Sequence, residues 1–216
     1  IKWILPHAPL LSVTGNRGTI MNSWFDCYSF DIPNRTEDEA GLYKAVGRIN
    51  DIVSAEMKNH NIPSDRIIIG GFSQGSAVSM LTALTTTRPL AGIFVLSGYI
   101  PLRKKAKQAS SPIASSLPIF WCHGRYDHQV DYEFSLKAAE TLASELDIQF
   151  RATNQRLAAE QFKVDGGKAG LTYVTYDQLG HWIQTPEEIT DLHVWIEGCL
   201  PHHSADGVNE PGATTP

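Results

Sequence analysis

Apolar positions along this chain follow two rhythms that take turns. Leu42, Val46, Ile49, Val53 and Met57 recur at steps of three and four, the stripe of an amphipathic helix, and predict a helix over about 37–61. Thr36 and Glu39 stand at capping-box spacing at its start, and Asn61 and Pro63 end it. The next run, Ile67-Ile68-Ile69, is β-branched and continuous, as in a strand buried on both faces. Helical spacing returns with Ala77, Met80, Leu81 and Leu84. Strands are then predicted at 92–96, 119–122 and 171–176, with a helix between them that begins near Asp131 and carries Phe134, Ala138, Leu142 and Leu146. Thr185, Pro186 and Glu188 offer a last helix its cap, first-position proline and box partner. An early strand is predicted at Lys2-Trp3-Ile4-Leu5.

Buried strands alternating with helices predict an α/β fold, a mostly parallel central sheet with helices on both faces. The chain has 216 residues and no repeat, enough for one core, and the domain is expected over 1–201. The stretch 202–216 is rich in Gly, Pro, Ser and Thr and nearly without apolar residues, so it is expected to be a disordered tail.

Charge and cysteine usage narrow the setting. A formal net charge of −5 gives no reason to expect nucleic acid, and no apolar run approaches the ~20 residues that span a bilayer. The expectation is a soluble protein with at most peripheral membrane contact. Cys27, Cys122 and Cys199 are odd in number, widely spaced and without metal-ligand pairing, which suits reduced thiols in the cytoplasm and predicts neither metal nor disulfide. Asn34-Arg35-Thr36 matches a glycosylation sequon, but no signal peptide precedes it.

The chemistry centres on Gly71-Phe72-Ser73-Gln74-Gly75, a G-x-S-x-G set between the Ile67 strand and the helix after it. Such a turn can be merely structural. Its strand and helix flanks favour a nucleophile elbow, in which Gly71 and Gly75 are both expected to be required by crowding. Ser73 would then attack a carbonyl, with the Gln74 amide at the helix start donating to the oxyanion.

A serine nucleophile needs a base and an orienting acid, and in open sheets reactive groups collect in loops after strand C-termini. The loop after the Ile119 strand carries His123, Asp127 and His128, and that after the Leu171 strand carries His181. Ser73, Asp127 and His181 follow the chain order nucleophile, acid, base. His123 and His128 compete for the base but share a loop with the acid. Asp131 competes for the acid, although its place before an apolar-periodic run favours capping.

Pro6-His7-Ala8-Pro9, Ser23-Trp24-Phe25-Asp26, Gly70-Gly71-Phe72-Ser73-Gln74-Gly75-Ser76, Leu96-Ser97-Gly98-Tyr99, Cys122-His123-Gly124 and Leu179-Gly180-His181 occur in one order. Together they resemble the acyl-protein thioesterases of the lysophospholipase/carboxylesterase family, which are α/β hydrolases. The resemblance implies Ser73 as nucleophile, Asp127 as acid and His181 as base. It also implies hydrolysis of acyl thioesters on protein cysteines and of acyl-ester lipids, without cofactor or metal. Trp24 and Phe25, with the loop 98–102, would help line an acyl site, against an ordinary role in core packing.

The chain departs from that family in three places. The family's early strand and His-Gly loop, source of a second oxyanion donor, are not found before Lys2-Trp3-Ile4, so an N-terminally truncated chain with weak ester turnover is expected. Arg125 and His128 stand where the family carries aspartate and proline. The connection over about 148–170 is longer than the family norm and would be a lid, a partner surface or a surface helix. Arg103, Lys104, Lys105 and Lys107 would face solvent, an anionic membrane or an acidic partner. The leading function is an acyl thioesterase; the alternatives are a small carboxylesterase or lysophospholipase, and a catalytically silent binding member of the same fold.

Overall fold

The structure is a computed structural model and describes residues 1–154, 169–183 and 186–200. The expected tail, the Thr185 cap and most of the 148–170 connection lie outside the described residues.

The chain opens on a stretch without helix or strand, 1–9, with Ile1 and Leu5 largely exposed. No strand forms at Lys2–Leu5, a correction to the sequence reading: a strand needs a neighbour for its N–H and C=O groups, and none pairs with it among the described residues. A small antiparallel hairpin follows, β1 (Leu10–Val13) with β2 (Thr19–Asn22), turning through Arg17 and Gly18 in left-handed conformation. Helix α1 (Glu39–His60) is capped by Asp38, whose carboxylate accepts from Gly41 N at 2.9 Å. Asp38 therefore takes the role expected of Thr36, because an aspartate one residue before the helix reaches the free amides directly. Asn61 ends α1 in left-handed conformation, as its position predicts.

The remaining elements build the sheet and its cover: β3 (Ile68–Phe72), α2 (Gln74–Thr85), β4 (Gly92–Leu96), the short α3 (Ala106–Ala109), β5 (Pro118–Gly124), α4 (Tyr132–Glu145), β6 (Phe150–Thr153), β7 (Gly170–Tyr176) and α5 (Pro186–Cys199). Five parallel strands lie in the order β3-β4-β5-β7-β6. Part of the expected insertion, Phe150–Thr153, is thus an edge strand rather than lid or helix. β3 forms the opposite edge, so it is only half-buried instead of enclosed on both faces.

Strand periodicity sorts the core. Ile93, Val95, Ile119, Trp121, Leu171 and Tyr173 point to one face and pack with Met80 and Leu84 of α2, Val53 of α1 and Leu142 of α4. Leu96, Phe120, Cys122 and Val174 point to the other and pack against Leu192, Trp195 and Ile196 of α5. Phe120 stacks on Trp195 with ring centroids 5.7 Å apart. With both faces covered, the loops at the strand C-termini are fixed from below.

Candidate active site

The elbow is a backbone feature before it is a chemical one. Ser73 joins β3 to α2 with φ 51° and ψ −114°, a conformation that disfavours any side chain and holds this one out of the turn. Its N–H still bonds Leu96 O at 2.9 Å, extending the β3–β4 ladder, and its carbonyl accepts from Ser76 N and Ser76 Oγ. A Cβ on Gly71 would lie 2.4 Å from the Gly75 carbonyl carbon, so the close approach of strand to helix requires that glycine. Gly75 differs from expectation: a Cβ there meets nothing nearer than Trp24 Nε1 at 3.9 Å. It faces open space, so crowding of the turn falls on one glycine.

Three side chains on separate elements meet here. His181 Nε2 lies 2.9 Å from Ser73 Oγ, and His181 Nδ1 lies 2.7 Å from Asp127 Oδ2. Asp127 is buried in the loop after β5; its Oδ1 accepts from Gln129 N at 2.9 Å and Val130 N at 2.8 Å. Burial pushes this carboxyl up. Hydrogen bonds from His123, His181 and the Val130 amide outweigh that and hold it well below the usual carboxylate range. Phe72 packs its ring against His181 at 4.9 Å between centroids.

None of the rivals bonds Ser73 among the described residues. His123 is fully buried with Nε2 on the Val130 carbonyl, and His128 is exposed. Asp131 caps α4 through Phe134 N at 2.8 Å, as its position predicts. Arg125, at the family's aspartate position, pairs with Asp177 at 2.7 Å and so ties the loop of Asp127 to the loop of His181.

Gln74 is placed twice. Its N–H is the first of α2 and has no partner among the described residues. Its side chain turns away to anchor the segment before α1, accepting from Trp24 N at 2.9 Å and donating to Ser23 Oγ and Phe25 O. Sequence reasoning missed this anchor, and Ser23 within the Ser23-Trp24-Phe25-Asp26 set was its one signal. Trp24 is half-buried on the cluster of Phe25, Leu42 and Leu81, and also walls a cavity of about 980 Å3 that reaches Ser73 and is lined by Ile52, Ile69, Phe72 and Val78. No group of three or more metal-ligating side chains occurs among the described residues.

Residues 1–160 match the model of the Phospholipase/Carboxylesterase family. Acyl-protein thioesterase 1 of Cryptococcus neoformans is 36% identical over 202 residues, covering 93% of this chain and 80% of that protein. The Schizosaccharomyces pombe protein of the same name is 40% identical over 167 residues, 75% of this chain and 74% of that one. Among solved structures, Arabidopsis thaliana SOBER1 superposes with a TM-score of 0.75 at 27% identity, covering 92% of this chain and 83% of that one. A parallel sheet that ends in a strained serine, with matches over most of its length, fits one conclusion: the chain belongs to the phospholipase/carboxylesterase family of α/β hydrolases.

Proposed function

We propose that this serine hydrolase removes palmitoyl-type acyl chains from protein cysteines, with Ser73 as nucleophile, His181 as general base and Asp127 as acid. The observation that carries the reading is the unbroken pair of contacts from Asp127 Oδ2 through His181 to Ser73 Oγ, at 2.7 and 2.9 Å. His181 Nδ1 keeps its proton on the carboxylate, so Nε2 is free to take the hydroxyl proton as Ser73 Oγ attacks the thioester carbonyl. Charge develops on the carbonyl oxygen, and the unpartnered Gln74 N–H at the start of α2 donates to it. Collapse expels the cysteine thiol with the proton from His181. Water, deprotonated by the same imidazole, then releases the acid from the acyl-serine.

The cavity at Ser73, walled by Trp24, Ile52, Ile69 and Val78, supports an apolar acyl group as the bound portion. The names of the relatives support S-acylated proteins as substrates. Peripheral contact with membranes follows from such substrates, and the odd, widely spaced cysteines support a cytoplasmic site of action. No helix among the described residues is long and apolar enough to cross a membrane.

Turnover of an acyl-peptide thioester and of a lysolipid of equal chain length, by the protein and by Ser73→Ala, tests the reading. Loss of both activities in the variant, with the thioester the faster substrate of the unmodified protein, is expected. Activity that survives Ser73→Ala sinks the triad, and a faster lysolipid reassigns the substrate.

A further inference from the structure

A second imidazole sits on the acid. His123, on β5, has no solvent exposure; its Nε2 lies 2.9 Å from the Val130 carbonyl and 3.2 Å from Asp127 Oδ2. Both neighbours are acceptors, so Nε2 carries a proton. The oxygen it faces is the one that His181 Nδ1 uses. Its other nitrogen, Nδ1, meets Ser135 Oγ of α4 at 3.1 Å, and that hydroxyl also lies 3.0 Å from Gly98 O and 3.2 Å from the Tyr173 hydroxyl. The ring is held at Nδ1 through Ser135, which gathers α4, β7 and the loop after β4, and at Nε2 by the loop after β5.

We propose that His123 is the positioning residue of the acid: its Nε2 proton, shared by Asp127 Oδ2 and Val130 O, fixes the carboxylate plane on which His181 is aligned. This rests on the reading of Asp127 as the acid. The geometry is reciprocal. The Val130 amide donates to Asp127 Oδ1 while the Val130 carbonyl accepts from His123. One imidazole therefore spans the carboxylate and the turn that grips its other oxygen. Without it Oδ2 keeps only His181 among these donors, and the Val130 carbonyl loses its bond to β5, leaving the turn tied to that strand by Asp127 N on Gly124 O. The effect on chemistry passes through His181, whose reach to Ser73 Oγ depends on where Oδ2 stands.

A packing role and a positioning role give different results. Glutamine can place an amide N–H where Nε2 stands; asparagine reaches only the Nδ1 position; leucine offers no donor. The positioning role predicts that His123→Leu loses about 100-fold in kcat with KM nearly unchanged, and that His123→Gln recovers most of this while His123→Asn does not. The titratable groups facing His123 are Asp127 from its own loop, His181 from the loop after β7, Tyr132 of α4 and Tyr173 of β7, with Arg125 stacked over the Tyr132 ring. Removing the Nε2 donor leaves more negative charge on Oδ2, which holds a proton on the base more tightly. The acid limb of kcat/KM in His123→Leu is therefore expected at higher pH.

Steady-state kinetics of the three variants on a soluble acyl ester, with pH profiles and melting temperatures, is the experiment. Unchanged kcat and an unmoved acid limb in His123→Leu overturn the proposal. If that variant does not fold, equal kcat in the Gln and Asn variants overturns it. Ser73→Ala run alongside separates the two readings: turnover that persists there removes the triad itself, whereas turnover lost there but intact in His123→Leu removes only the role of His123.

Discussion

His181 Nδ1 and Asp127 Oδ2 are 2.7 Å apart across 54 residues of chain, and both side chains are buried. The carboxylate can only accept, so this contact selects the tautomer with the proton on Nδ1 and leaves Nε2 free to accept one, as the proposed role of base requires. Asparagine at 127 presents an amide that can also donate, which stabilises the wrong tautomer. Asp127→Asn is expected to lower kcat by ~10,000-fold while the fold persists. Ester turnover beside circular dichroism checks it, and a loss under tenfold would detach the carboxylate from catalysis.

The two elbow glycines are expected to behave oppositely. Alanine at 71 drives a methyl into the Gly75 backbone, whereas alanine at 75 enters open space near the start of α2. Gly71→Ala is expected to destroy activity or soluble yield. Gly75→Ala is expected to raise stability by ~0.4–1 kcal/mol, because it restricts the unfolded chain at a helical position. Melting temperatures of both variants decide the matter, and a large loss in Gly75→Ala would count against the open space seen there.

Much of this was readable from local pattern. The run 92–96 is a strand with the same bounds in sequence and structure, because a short apolar run between turn residues has one solution in an α/β chain. Ser73, Asp127 and His181 could be proposed together because each follows a strand that the pattern identifies, and the structure brings the three side chains into contact. The hairpin β1–β2 was not: most of its residues are exposed, so no buried face imposes a period of two. β6 is similarly an exposed edge whose pairing with β7 is a long-range fact. His123 competed for the base although it shares a loop with Asp127; its actual contacts depend on Ser135 arriving from α4 and Val130 turning back, which no local window contains.

Gln74 separates main-chain from side-chain work. Its N–H survives any substitution, while its amide group holds Trp24 N, Ser23 Oγ and Phe25 O. Gln74→Ala leaves Trp24 N without its acceptor, while Ser23 Oγ and Phe25 O keep their bond to each other, and is expected to cost ~1–3 kcal/mol of stability. Its kcat is expected to fall far less than that of Asp127→Asn. Urea titration and kinetics on the same preparation check both, and a loss equal to that of Asp127→Asn would place the side chain in the chemistry.

Cys122 stands one residue from His123 yet has no route to substrate. Burial pushes its thiol well above the ordinary range and the Glu188 carboxylate, 3.1 Å away, pushes it further. In the folded protein at neutral pH, iodoacetamide is expected to leave Cys122 unmodified and turnover intact, with labelling after unfolding in urea. Mass mapping of the labelled site checks this, and rapid native labelling of Cys122 would show that β5 opens.

Asp127 also sets how the fold responds to acid. Its carboxyl is held well below the usual carboxylate range when folded, against about 4 when unfolded. Above the unfolded value both states are ionised and the full stabilisation is present. As pH falls below about 4 the unfolded state takes up the proton first, so stability drains away until the folded carboxyl is protonated as well. Asparagine at 127 has no proton to take up. The part of the stability difference between the protein and Asp127→Asn that comes from this carboxyl is therefore expected to shrink as pH falls below about 4. Denaturant titrations across that range measure it directly. A difference that stays constant into strong acid would mean that the hydrogen bonds from His123, His181 and Val130 do not favour the ionised carboxylate, and the electrostatic account of the acid would fail with it.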